Sequence, residues 1–283
     1  MQEVSTQAGC SPESILLVHE SVPCQTYSIA SHSNAGRTSK DNSKGHGFNY
    51  RKVDDERSPC CPLGLGCKYA EAAWKHDKFA PSLFESVIQD RQRGLDYFVG
   101  IECVDGDLKH RPYMLPQNIP QGISLSYRPF HGCAFQHPSR AKKPYSFWFS
   151  DSEFSPCGTT GTGLCEQKCL DGFRNEKGAW EHVGKLGRLP KDGPRGPGAI
   201  RIKNALPPLF VYEYLKHCVE HRTNAAQDIV IDLCCGWQSL KPVCEELGLH
   251  YIGVDIMGDR NRFLPIQARF KNKDGARVGG PRW

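Results

Sequence analysis

Residues 228–256 read DIVIDLCCGWQSLKPVCEELGLHYIGVDI. The stretch opens on an apolar run that reaches an acid, Asp232, and then a Cys/Gly turn. A helical segment follows, with Leu240, Val243, Cys244 and Leu247 at core spacing and Gly248 as its stop. A second apolar run, YIGVDI, ends in another acid, Asp255. Strand, helix and strand in this order predict a parallel βαβ unit. Such a unit can hold a ligand at the carboxyl ends of its strands. Gly236 lets backbone N–H groups come close to a ligand, and the helix start beyond it favours an anionic group such as a carboxylate. Asp255 is placed to accept hydrogen bonds from ribose hydroxyls, and Asp232, just before the turn, suits an amine-bearing ligand. GWQS lacks the three-glycine fingerprint of dinucleotide sites, and an ordinary βαβ unit with a chance glycine would read the same way.

Working outward, the other end of the chain carries a matching edge. ILLVHES (15–21) predicts a buried strand, and Pro23 forces the chain to turn after it. Cys24 then sits at the carboxyl end of that strand. FAPSLFESVIQDRQRG (79–94) predicts a helix with Phe84, Val87, Ile88 and Arg91 on one face, Pro81 in its first turn and Gly94 as its stop. DYFVGIE (96–102) predicts a second strand that delivers Glu102, and KKPYSFWFS (142–150) a third. NALPPLFVYEYLKHCVEH (204–221) predicts a helix entered through Pro207 and Pro208, with Val211, Leu215 and Cys218 facing the core. The tail from Met257 shows no convincing strand.

The chain has 283 residues, enough for one large domain or one domain with a smaller insert, and its 39% hydrophobic and 24% charged residues are ordinary for a globular protein. No apolar run approaches the ~20 residues that cross a bilayer, so no membrane partner is expected. MQEVSTQAGC lacks the basic start and apolar core of a signal peptide. With 14 cysteines, several inside core segments, a reducing intracellular setting is expected: the nucleus if eukaryotic, otherwise the cytoplasm. The net charge of +5 permits nucleic-acid binding without requiring it.

Four motifs together carry a family resemblance. DLCCGWQS…YIGVDI resembles the first two motifs of S-adenosylmethionine-dependent methyltransferases, in the DLFCGxGS form of DNA (cytosine-5) methyltransferases. VPCQTYS resembles that family's PPCQxFS, FVGIECV its IENV, and IKNALPPLFVYEYL its GNAVPPxLA. GDLKHRP and HPSRAKKPYSFWFSD resemble divergent methylase-like proteins of phages and algal viruses. The order differs from the family's, because here the cysteine motif comes first and the cofactor motif last. The resemblance therefore implies a circularly permuted, Rossmann-like methyltransferase sheet with a small Cys/Gly-rich insert. It divides the chain into a catalytic half (1–150, with a long loop at 31–76), an insert (151–200) and a cofactor half with a basic tail (201–283).

The resemblance also assigns roles. Cys24 would attack cytosine C6, Glu102 would bind the base's amino edge and N3, and Arg140, with Lys142 and Lys143 nearby, stands in the family's basic region. Asp232, Cys234, Gly236, Asp255, Ile256 and Asn204 would hold S-adenosyl-L-methionine. Cys103 stands where the family has asparagine, and Gln238 departs from its glycine. The partner would be DNA with a flipped cytosine. The loop after Cys24, with Arg37, Lys40 and Lys44, would close over the base, and basic segments 185–203 and 260–282 would hold phosphates. Cys157, Cys165, Cys169 and His182 form a candidate zinc set, with Cys60, Cys61 and Cys67 as a weaker one; unpaired thiols fit both equally well. Two rivals remain: an inactive module that keeps the fold and binds nucleic acid, and a methyltransferase acting on RNA.

Overall fold

The structure, a computed structural model, describes residues 1–23, 75–184, 205–234, 239–255, 267–271 and 277–278. For Asp107, Asp255 and the last two segments it describes the backbone alone. Its elements are, in chain order, α1 (Gln2–Gln7), β1 (Ile15–Ser21), α2 (Phe79–Gln92), β2 (Phe98–Val104), β3 (Ser126–Tyr127), β4 (Phe130–His131) and β5 (Pro144–Phe149). Then come β6 (Gly172–Arg174), β7 (Trp180–His182), α3 (Pro208–Glu220), β8 (Ile229–Leu233), α4 (Lys241–Glu246), β9 (His250–Asp255), β10 (Gln267–Lys271) and β11 (Arg277–Val278).

Four of these strands form the parallel centre of one mixed sheet, in the order β9, β8, β1, β2. The two crossovers run in opposite directions from the middle. β1 passes through α2 to β2 on one side, and β8 passes through α4 to β9 on the other. A right-handed connection must then put α2 and α4 on opposite faces, and the core divides accordingly. Leu83, Phe84 and Val87 of α2 pack with Ile15, Val18, Val99 and Ile231. Val243 and Cys244 of α4 pack with Leu16, Leu17 and Val230, together with Phe210, Val211, Tyr214 and Leu215 of α3. A bulge in β1 explains how Leu16 and Leu17 reach the same face. Ile15 opposes Ile229 and Leu17 opposes Val230, which leaves Leu16 as the extra residue.

The helix ends follow the sequence expectation. Gly94 (φ +81°) ends α2, where the Leu95 N–H returns to the Asp90 carbonyl at 3.0 Å. Ile88, expected in the core face of α2, is only half-buried; Leu83 and Asp90 are buried instead. The tail reading is corrected. β10 pairs antiparallel with β9, and β11 with β10, so the tail extends the sheet by two strands. At the opposite side β5 runs antiparallel to β2, with β3 and β4 paired to its far edge. Beneath α3, Phe130 stacks on Phe210 with centroids 3.9 Å apart, and Phe147 meets Tyr214 edge-on. This aromatic layer fastens the antiparallel edge to the parallel centre.

Candidate functional site

The point where the strand order reverses lies between β1 and β8. In open α/β sheets the crevice beyond the carboxyl ends at such a point receives ligands. Pro23 is the last described residue after β1, so Cys24 lies one residue outside the described set. Asn204, Gly236 and Ile256, the loop 31–74 with Cys60, Cys61 and Cys67, and the basic segment 185–203 also lie outside it, and of the basic segment 260–282 only the backbone of β10 and β11 lies within it.

The chain leaves β8 through Cys234, whose φ of +57° falls in the left-handed region. A side chain there costs about 1 kcal/mol or more, and such positions concentrate at turns that serve a site. β9 ends at Asp255, so the two predicted cofactor strands both finish at this edge. Asp232 sits one residue inside the end of β8 and is buried, and its Oδ2 accepts a 2.8 Å hydrogen bond from the Tyr251 hydroxyl. That contact braces β8 against β9.

Polar side chains gather inside the same edge. His19 lies opposite Asp232 on one side and Gly100 on the other, all on the face covered by α3. Burial pushes the His19 imidazole down to about 3, so the ring is neutral. Its Nε2 is 3.2 Å from the Ser21 hydroxyl. Ser21 in turn lies opposite Glu102 and hydrogen-bonds its carboxyl group. Burial lifts the Glu102 carboxyl to about 7, opposed by the Lys143 ammonium and the Ser21 hydroxyl. Glu20 points to the other face, between Ile101 and Leu233, and burial lifts it to about 8.

The basic residue beside Glu102 is therefore Lys143, not Arg140. Arg140 Nε donates to Asp171 at 2.9 Å, and its side chain is 45% exposed. Lys143 is 8% exposed and its Nζ stands 4.6 Å from the centre of the Tyr145 ring. The sequence grouped both residues in one basic stretch. Arg140, at φ +52°, turns the chain between them, and no periodicity reveals that turn.

A second cluster lies beside β4. Cys133, Cys165, Cys169 and His182 bring their ligand atoms within 4.8 Å of one another. Cys165 Sγ is 3.5 Å from Cys169 Sγ, and each of those sulfurs is 3.3 Å from His182 Nε2. This Cys3His set could hold a metal ion such as zinc. The candidate set is corrected at one position. Cys157 is exposed, and its thiol faces the Ser155 carbonyl at 3.3 Å. Cys133 takes the fourth place from a turn of 3-10 helix, Gly132–Phe135, that lies outside the insert. A cysteine 32 residues before Cys165 carries no spacing signal that sequence reasoning could use.

Compared with known proteins, the chain matches no family model, no curated protein and no solved structure.

Proposed function

We propose that the chain transfers a methyl group from S-adenosylmethionine to C5 of cytosine in DNA, through a covalent adduct on Cys24. The observation that carries this reading is Glu102: a buried carboxyl group, raised to about 7, beside Lys143 at the carboxyl edge of the sheet. A group poised there is part-protonated near neutral pH, which general acid catalysis requires. The four sequence motifs and the reversal of strand order between β1 and β8 support the same reading.

Cytosine C5 is a poor nucleophile. The Cys24 thiolate adds to C6 and forms a carbon–sulfur bond, while protonated Glu102 gives its proton to N3. The ring becomes enamine-like, with electron density at C5. Bound S-adenosylmethionine supplies the electrophilic methyl group that C5 takes. A base then removes the C5 proton, the double bond re-forms, the thiolate leaves, and N3 returns its proton to Glu102. On the protein side, the left-handed turn at Cys234 and the strand end at Asp255 suit the methionyl and ribose ends of that cofactor. Asp232, engaged by Tyr251, holds the strand that carries the turn.

Transfer of labelled methyl groups to DNA and RNA offered together tests the proposal. The expected product is 5-methylcytosine in DNA. Label appearing only in RNA would move the activity to the RNA reading. No label in either, with no cofactor binding, would favour the inactive module.

A further inference from the structure

We propose that Cys133, Cys165, Cys169 and His182 bind one zinc ion in a closed structural site, and that this ion clamps the insert onto the segment carrying Lys143.

The donor geometry comes first. A tetrahedral zinc with bonds of about 2.3 Å to sulfur and about 2.0 Å to nitrogen sets sulfurs about 3.8 Å apart and sulfur from nitrogen about 3.6 Å. The observed separations of 3.5, 3.3 and 3.3 Å need to open by only a few tenths. A disulfide would need the two sulfurs near 2.05 Å. Backbone N–H groups already point at the thiols: that of Gln167 at Cys165 and that of Asp171 at Cys169, each two residues further along. Such hydrogen bonds orient metal ligands. Glu166 and Gln167 take left-handed φ values of 44° and 58° between the two cysteines, which lets so short a loop present both sulfurs to one point. With four protein ligands and the three cysteines at most 3% exposed, the site keeps no open position for a substrate. That is the pattern of a structural ion and not a catalytic one.

The insert also needs such an ion. Between residues 157 and 184 the only side chains buried, beyond glycine, are those of Cys165 and Cys169. Leu170, Phe173 and Val183 are exposed, at 70%, 43% and 43%. A segment of this length without an apolar core requires a disulfide or a metal to hold its shape.

The ligands come from two places, and the hydrogen bonds between them define what is clamped. Cys133 follows Gly132, whose N–H donates to the Lys143 carbonyl at 2.8 Å. His182 precedes Gly184, whose N–H donates to the Arg140 carbonyl at 2.9 Å. A Cβ on Gly184 would fall on the Ser139 carbonyl oxygen, so the two chains touch backbone to backbone there. Segment 137–143 is thus held between the two halves of the ligand set. Zinc binding would be required whatever reaction the sheet edge performs.

The test uses the full chain. Elemental analysis should find one zinc per chain in the parent and in Cys157→Ser, and none in Cys133→Ser. Replacement of zinc by Co(II) should give the intense visible bands of tetrahedral thiolate coordination. If Cys133→Ser does not fold, the parent stripped by a chelator serves in its place. Hydrogen exchange should then show the Gly132 and Gly184 amides losing protection while the amides of β1 and β8 keep theirs. A parent without metal, or a stripped parent whose Gly132 and Gly184 amides exchange as slowly as before, would overturn the proposal. So would zinc that is lost in Cys157→Ser and kept in Cys133→Ser.

Discussion

Glu20 and Glu102 are neighbours in the sheet's carboxyl edge, yet they face opposite layers and do different work. Ser21 and Lys143 attend Glu102, whereas Glu20 sits among apolar side chains, and its Oε2 has no partner among the described residues. The stability cost of a buried carboxyl group with a raised pKa grows with pH where the unfolded chain releases the proton and the folded one does not. For Glu20 that growth starts at about pH 4.5, continues as pH rises, and is complete above about 8. The melting temperature of Glu20→Gln minus that of the parent should therefore climb steadily between pH 4.5 and pH 8. A difference independent of pH would show that Glu20 ionises in the fold as it does in water. Little of this was legible in ILLVHES. A strand buried on both faces shows no alternation, so its pattern announces the strand but not which polar residues lie inside. Glu102 is legible as the acid that ends DYFVGIE, and the role given to it rests on the motif's resemblance alone. That Lys143, among Arg140, Lys142 and Lys143, lies beside Glu102 is not legible, because the turn at Arg140 leaves no trace in spacing.

Among elements, the packing of α3 on β2 turns on Gly100 and Tyr214. A Cβ at Gly100 would collide with the Tyr214 hydroxyl, which is fully buried and has no hydrogen-bond partner among the described residues. Gly100→Ala should destabilise the fold by about 1–3 kcal/mol through overpacking. Tyr214→Phe removes both the obstacle and an unsatisfied polar group, and should be neutral or stabilising. The double variant should recover most of the loss in a denaturant titration; additive losses would mean that the helix and strand adjust independently. The helices themselves were well marked in the sequence, by apolar spacing and by glycine stops at 94 and 248, both of which adopt positive φ. β10 and β11 were not. QARFK, paired on both sides, offers only Ala268 and Phe270 between polar residues, too short an alternation to mark a strand, and β11 at the sheet's edge is two residues long.

At the scale of the whole molecule, the first and last thirds of the sequence meet in the middle of the sheet, where β1 and β8 run parallel. That junction sets the strand that precedes Cys24 in sequence beside the strand that carries Asp232. The α/β class and the βαβ units were readable from the chain alone. The insert's attachment was not, since Cys133 joins its partners through space and not through spacing. The central claim, covalent catalysis by Cys24, is tested most directly with DNA carrying 5-fluorocytosine and S-adenosylmethionine. Fluorine at C5 cannot leave as a proton does, so elimination stops and the carbon–sulfur bond persists. The parent should form a complex with this DNA that survives denaturation, and Cys24→Ser, with its fold and cofactor binding intact, should form none. A stable complex with Cys24→Ser, or methyl transfer by that variant at the parent's rate, would contradict the account.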